Sequence, residues 1–353
     1  MTPEESQKLQ EHITAIAKIL YQNTPSEDLV SLETIEKSVR QQILEKVSPQ
    51  VAFFFIKEKT GTIKGRTRKL KSSLGEIPIT EKQASRLHLT SRCRISPFLE
   101  KCCLRISANE SYQNAELELE LLMGVKIGHT TLHRLVQRTE FSPPDTQETV
   151  TELSADGGKV RVRNPNGQSC EWLEYKAIRL QKVYHNAAFK DNLFLSDWVN
   201  SQKLAALLVC LGDGHPGVWK LMSEISTSSE RWEILDWYHL KENLYKIGGS
   251  LKRLQQIESY LWCGEVEEAL AVLGEYRRQK SQKFLKYLQE HKSRIINYKK
   301  VQASELCSIG SGAVESAIKQ LDLRLKLVGA QWNKHNVNQM LQLRCAYLNG
   351  QLA

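Results

Sequence analysis

The chain lacks several features that would assign it to a class at once. No apolar run approaches the roughly 20 residues needed to cross a bilayer, so no membrane role is expected. The start, Met1-Thr2-Pro3-Glu4-Glu5, is acidic and has no apolar stretch of the secretory kind, so a cytoplasmic location is the expectation. The eight cysteines, at 93, 102, 103, 170, 210, 263, 307 and 345, include no C-x-x-C pair, which argues against a zinc ribbon or finger. No structural zinc is predicted. Their spread suits reduced thiols, mostly buried as small apolar groups, with the adjacent Cys102 and Cys103 in a core. There is no internal repeat and no low-complexity tract.

What the chain does have is length and positive charge. Its 353 residues allow two or three domains. Forty-nine lysines and arginines against 40 acids leave a net charge of +9, which favours a polyanionic partner, nucleic acid first. Many basic proteins bind none, so charge alone leaves the question open.

Residues 1–50 read as helices: Leu9, Ile13, Ile16, Ala17 and Leu20 form one apolar stripe, and Leu32, Ile35, Val39, Ile43 and Leu44 a second. Val51 to Ile56 reads as a strand. Gly61 then marks a turn, and Lys59, Lys64, Arg66, Arg68, Lys69 and Lys71 follow with no acid among them. Such a run is either the solvated face of a hairpin or a phosphate-contact surface. Residues 96–139 return to helix. Within about 112–138, a helix, a short turn carrying Gly124 and a second helix with Thr130, Thr131, His133, Arg134 and Arg138 make a helix-turn-helix pattern or an ordinary helical hairpin. Pro143-Pro144 marks a linker. The expected division is therefore a mainly helical DNA-binding region at 1–145 and a second domain at 146–353.

Beyond the linker the pattern turns to strands. Val150 to Ala155, Lys159 to Arg163, Glu174 to Leu180, Leu204 to Leu211 and Arg231 to Asp236 read as strands, with a turn at Asn164-Pro165-Asn166-Gly167. Residues of about 240–305 read as a block of amphipathic helices. A last helical region starts near Ser311 and runs past Leu327.

Three acids stand out. Asp156 and Asp213 end or interrupt apolar strands, and each is flanked by glycine, which allows close approach of a ligand or, equally, a tight Asp-Gly turn. Glu315 follows Ser311, a candidate helix cap, and an acid there also suits the helix dipole. Together, a strand Asp, a strand-end Asp and a helix Glu make the ribonuclease H-like arrangement. There, carboxylates hold two divalent metals roughly 4 Å apart for in-line phosphoryl displacement. Oxygen ligands favour magnesium or manganese. Asp213 follows Asp156 by 57 residues and Glu315 follows Asp213 by 102, so a helical insertion before the Glu helix is expected. The predicted class is thus α+β or α/β, a ribonuclease H-like domain behind a helical region.

Several longer motifs carry a resemblance: Glu152-Leu153-Ser154-Ala155-Asp156-Gly157-Gly158-Lys159, Cys210-Leu211-Gly212-Asp213-Gly214-His215, and Ile234-Leu235-Asp236-Trp237-Tyr238-His239-Leu240. Ile309 to Ser316, Gly329-Ala330-Gln331-Trp332 and Ser107 to Tyr112 extend it over nearly the whole chain. The sequence resembles the ISKra-type family of bacterial insertion-sequence transposases, a DDE group related to Mutator-like elements. The resemblance implies that Asp156, Asp213 and Glu315 are the catalytic, metal-binding triad. Asp236 and His239 match an auxiliary Asp-x-x-His signature, or Asp236 simply caps the next helix. It also implies double-stranded DNA as partner (element terminal repeats and target), a homodimer or larger assembly, and a nucleoid setting. Lys64, Arg66, Arg68, Lys69, Thr130, Arg134, Arg138 and Lys159 are the candidate DNA contacts. Lys159 shares a strand face with Arg161 and Arg163, which is either a phosphate-contact face or a solvated edge. Lys319, Arg324, Lys326 and Arg344 flank the Glu helix, and Trp332 is either a base-stacking residue or core. The rival functions are a junction-resolving nuclease of the same fold and a DNA-binding protein descended from an inactivated transposase.

Overall fold

The computed structural model describes every residue except 91–92, 166–167, 226–229 and 276–277. It is a mixed α and β chain that divides into two compact units, Met1–Leu135 and Val136–Ala353. The division falls ten residues before the expected boundary at 145, ahead of the proline linker.

The first unit contains α1 (Pro3–Gln22), α2 (Leu32–Gln42), α3 (Ser48–Thr60), a hairpin of β1 (Thr67–Ser72) and β2 (Gly75–Thr80), then α4 (Glu81–Arg86), α5 (Pro97–Ser107) and α6 (Tyr112–Met123). The next helix, α7 (His129–Arg138), spans the division. The segment expected as a strand at 51–56 is helical instead, in the middle of α3. A short apolar run does not by itself distinguish strand from helix. Here Pro49 in the first turn, Lys57 and Lys59 in the last, and Gly61 in the left-handed region (φ +58°) provide helix start and stop signals. The expected turn at 164–167 lies partly outside the described residues.

Helices α6 and α7 are built to stay in register. Ser111 caps α6, accepting from the Asn114 N–H at 3.1 Å, and Gly124 ends it at φ +66°. The Arg40 guanidinium donates to the Leu121 carbonyl at 2.7 Å and also to that of Leu122, satisfying carbonyls that a helix end leaves open. Glu116 then accepts from both the backbone N–H and the ring Nδ1 of His129, each at 2.8 Å, which fixes where α7 begins. Leu132 and Leu135 turn inward on α7, while Thr130, Arg134 and Arg138, one turn apart, lie on its exposed side.

The second unit is organised by a five-stranded sheet of β3 (Val150–Val162), β4 (Glu171–Leu180), β5 (Tyr184–Ala188), β6 (Leu204–Gly212) and β7 (Glu230–Leu235). Their spatial order is β5-β4-β3-β6-β7. β3, β4 and β5 run antiparallel in turn, whereas β6 and β7 run parallel to β3. Between strands lie α8 (Asn192–Asn200) and α9 (Pro216–Ser223). After β7 come α10 (Trp237–Tyr245), α11 (Leu251–Cys263), α12 (Val266–Gly274), α13 (Gln279–His291) and α14 (Tyr298–Ala303), then α15 (Gly312–Leu325) and α16 (Lys334–Leu348). The helix expected to run past Leu327 stops at Leu325. The chain turns at Gly329 (φ +78°), and Trp332 forms a bridge to Val162 at the end of β3.

Strand alternation sets the layers. Gly212 pairs with Ala155 and faces Val218, Trp219 and Met222 of α9. On the opposite face, Ser154, Asp156 and Gly158 pair with Arg179, Ala177 and Tyr175, and this face meets α15. Leu153, Ile178, Leu180, Leu208 and Leu211 are fully buried between layers. Each such side chain contributes about 2 kcal/mol of transfer free energy. The helices after β7 join this core through Trp237, Trp262 and Tyr298, whose rings lie 4.7–6.1 Å apart. Of the eight cysteines, Cys103, Cys210 and Cys345 are buried and the other five, Cys102 included, are half-buried. No described helix is long and apolar enough to cross a membrane.

Candidate active site

Helix α15 is fixed against the sheet at four points. At its start, buried Ser311 donates from both N–H and Oγ to Asp236, the hydroxyl at 2.6 Å. Arg179 of β4 donates to the Ala313 carbonyl at 2.6 Å. Midway, the Tyr175 hydroxyl donates to Asp322 at 2.8 Å. Its ring reaches that far because residue 158 is glycine: a Cβ there would sit 2.2 Å from the ring. At the far end, the Trp332 indole donates to the Leu325 carbonyl at 2.9 Å. Together these hold Glu315, in the first turn of α15, over the centre of β3.

Asp156 lies on β3 with its carboxylate on the α15 face, half-buried, accepting the Gly157 N–H at 2.6 Å. Asp213 follows the last residue of the neighbouring parallel strand β6 and accepts the His215 N–H at 3.0 Å. Burial pushes the Asp156 carboxyl up to about 6. The charges of Asp213 and Glu315 act in the same direction, against the Gly157 hydrogen bond and the nearby His239. Asp156 thus feels the charges of two acids far from it in sequence.

His239 is the cation among them. Its Nδ1 lies 3.5 Å from Asp236 and 3.6 Å from Glu315, charge contacts that are too long for good hydrogen bonds. The neighbouring carboxylates, Asp236 foremost, hold its ring protonated, with the pKa pushed up to about 9. Asp236 behaves differently. Burial opposes its ionisation, but the charge contact with His239 and three hydrogen bonds, from the His239 N–H and from the N–H and hydroxyl of Ser311, outweigh that, and its carboxyl stays below the usual range.

Among the described residues, Asp236, His239 and Glu315 offer ligand atoms within 4.8 Å of one another. That trio is a poor cation site. Asp236 is fully buried and both its oxygens are already engaged by hydrogen bonds. Asp156, Asp213 and Glu315 do not bring one ligand atom each within that distance of one another. They supply only oxygen donors and are half-exposed, and their three negative charges are opposed nearby by His239. A cleft of about 820 Å³, lined by Glu148, Glu152, Lys182, Glu305 and Cys307 among others, lies toward the start of β3.

The other candidates scatter. Lys64 and Arg66 are exposed in the loop before β1, and Lys69 is exposed on β1, 3.1 Å from Glu76. Arg68 is half-buried, and its guanidinium donates to the Thr90 carbonyl at 3.1 Å. Lys159 is exposed but lies on the sheet face opposite Asp156, because odd and even positions of β3 alternate. Arg324 and Arg344 are buried at 3% exposure, which removes them from any phosphate surface, and Trp332 is core.

Sequence reasoning missed three contributors. Ser311 stands at the helix cap position, yet its hydroxyl goes to Asp236 and makes no cap bond. Tyr287 of α13 lies against Gly214, where a Cβ would come within 2.1 Å of the ring. Tyr238 lies against Gly310 in the same way, at 2.5 Å. The glycines beside the acids were the available signal: two of them make room for tyrosine rings. No protein-family model matches the chain, and no curated protein does either.

Proposed function

We propose that this chain is a DNA transposase of the DDE type, with a ribonuclease H-like catalytic domain interrupted by the helices α10–α14. What supports the reading is the placement of Asp156 on a central strand, Asp213 just past the end of its parallel neighbour and Glu315 in the first turn of α15, with the charges of Asp213 and Glu315 reaching Asp156. The strand order, three antiparallel strands followed by two parallel ones, is the order of ribonuclease H-like sheets and supports the same reading.

Asp156, Asp213 and Glu315 would hold two magnesium or manganese ions, which supply activation of a water or 3′-hydroxyl and stabilise the leaving oxygen. The chain's own residues do the rest. Asp236 and Ser311 lock the start of α15, so Glu315 is presented without a search through rotamers of the backbone. His239 balances the carboxylate charge beside it. The exposed side of α7, with Thr130, Arg134 and Arg138, suits a major groove, and Lys64, Arg66 and Lys69 suit phosphates. Two element ends require at least two chains.

The test is incubation of the full chain with a labelled duplex from the DNA bordering its gene. The reading expects nicking that depends on Mg²⁺ or Mn²⁺ and stops with chelator. Tight binding with no cleavage under either metal would favour a DNA-binding protein instead.

A further inference from the structure

The positive charge of the chain is not spread evenly. Residues 237–303, the helices α10–α14, hold 13 lysines and arginines against 7 acids, which is +6 of the net +9 in under a fifth of the length. Met1–Leu135, twice as long, holds 20 against 16. The densest positive charge thus lies on the helices after β7, where it attracts polyanions.

Part of that surplus borders a groove of about 530 Å³ between α10 and α13. Its rim is Lys246, Lys280 and Lys283, all exposed. Lys246 lies 3.0 Å from Glu242, an exposed pair that contributes little. Among the described residues, Lys280 and Lys283 have no acid partner. The inner wall is apolar, made by Ile247, Phe284 and Tyr287, and the last two rings lie 5.9 Å apart and 20° from parallel. Lys280, Lys283 and Tyr287 share one face of α13 because they are three and four residues apart. The Tyr287 hydroxyl lies beside the Asn243 amide, which also lines the groove. One end of the groove reaches the candidate active site: the same Tyr287 ring packs on Gly214, the residue after Asp213.

We infer that this groove binds an unpaired stretch of a nucleic-acid strand, with bases against the aromatic wall and phosphates along the lysines. Lysines alone suit any polyanion, but a wall of rings needs a ligand with a flat apolar face. Bases in a duplex are stacked on one another and hidden from such a wall, whereas an unpaired base offers its π-face. An acidic peptide would satisfy the lysines and leave the rings unused. The groove therefore takes a different part of the substrate from α7 and the Lys64–Lys69 loop, which suit intact duplex. Its ligand is a strand already separated from its complement beside Asp213. Only that last placement rests on the proposed catalytic function; strand binding itself does not.

The test uses the full chain without metal, so that binding is read apart from cleavage. Fluorescence anisotropy follows a labelled thymidylate strand of about 12 nucleotides, an abasic strand of equal length and a hairpin duplex, each against salt. The thymidylate strand should bind about tenfold more tightly than the abasic one. Lys280→Gln combined with Lys283→Gln should weaken strand binding about tenfold at low salt. It should also lower the slope of log affinity against log salt by about 1.4, while duplex binding changes by less than about threefold. Both lysines are exposed, so the fold is spared and circular dichroism should be unchanged. Tyr287→Leu should bring thymidylate binding down toward that of the abasic strand. No strand binding by wild type, a double variant with wild-type affinity and slope, equal losses on strand and duplex, or equal competition by polyglutamate would each overturn the inference. Strand binding with the expected responses, but no cleavage under Mg²⁺ or Mn²⁺, would instead remove the catalytic reading and leave this one standing.

Discussion

Two acidic corners lie close together in the second unit, and they are built on opposite principles. At the β7–α10 corner, Asp236 is fully buried and every oxygen is engaged, by the N–H of His239 and by the N–H and hydroxyl of Ser311. At the centre of β3, Asp156 accepts a single backbone N–H and otherwise faces other acids. The first corner keeps its carboxyl below the usual range and the second raises it to about 6. A carboxylate supplied with several donors stays ionised even when buried; one that is buried with a single donor and other acids nearby resists ionisation.

The sharpest way to break this contrast is to neutralise each acid in turn. Asp156→Asn, Asp213→Asn and Glu315→Gln should each lower DNA cleavage by about a thousandfold or more, with duplex binding nearly unchanged. Near-wild-type cleavage by any one of them would remove it from the site. In metal-free protein Asp156→Asn should also raise unfolding stability by about 1 kcal/mol, since it removes a buried charge and, with it, the repulsion from Asp213 and Glu315. Asp236→Asn should do the reverse. It keeps one acceptor but turns an amide toward donors, and should cost about 3 kcal/mol in denaturant unfolding. Equal stability changes for Asp156→Asn and Asp236→Asn would erase the distinction.

His185 offers a third buried titratable group with a smaller effect. It is 7% exposed on β5, and burial pushes its ring down to about 4, with Arg179 acting in the same direction. The unfolded chain binds a proton near 6.5 and the folded one only near 4. Stability from this group is therefore complete above about pH 6.5 and is lost as pH falls toward 4, by about 3 kcal/mol. His185→Leu should flatten unfolding free energy across that window; an unchanged slope would mean that the ring is charged in the fold. Smallest is Arg134→Ala on the exposed side of α7. It should reduce discrimination between specific and random duplexes by about 1–3 kcal/mol while the salt dependence of binding changes little. A uniform loss on all sequences would make it a phosphate contact instead.

Much of the sheet was legible from the chain. β4, β6 and β7 announce themselves by alternation or by unbroken apolar runs, and Asp213 follows the end of β6, but Asp156-Gly157-Gly158, read as a break between two strands, lies inside the single strand β3. β5 was not, because Tyr-His-Asn-Ala-Ala has no pattern of its own and takes its register from β4. The helix over 48–60 was misread because Val51 to Ile56 is equally apolar in either state, and only Pro49 and Gly61 separate them. Of the candidate site, the three acids and the Asp236–His239 spacing could be picked out by residue type. The Asp236–Ser311 lock could not, since it joins residues 75 positions apart through hydrogen bonds that neither motif encodes alone. Lys159 shows the limit of spacing arguments: it sits three residues from Asp156, yet strand alternation sends it to the other face.

The central claim is that Asp156, Asp213 and Glu315 together form a divalent-cation site. Titration of the full chain with Mn²⁺, followed by the loss of free-ion paramagnetic signal, tests it without any DNA. The account predicts binding of about two ions per chain, weakened about tenfold or more by Asp156→Asn. Absence of binding by the wild-type chain, or binding that Asp156→Asn leaves untouched, would contradict it.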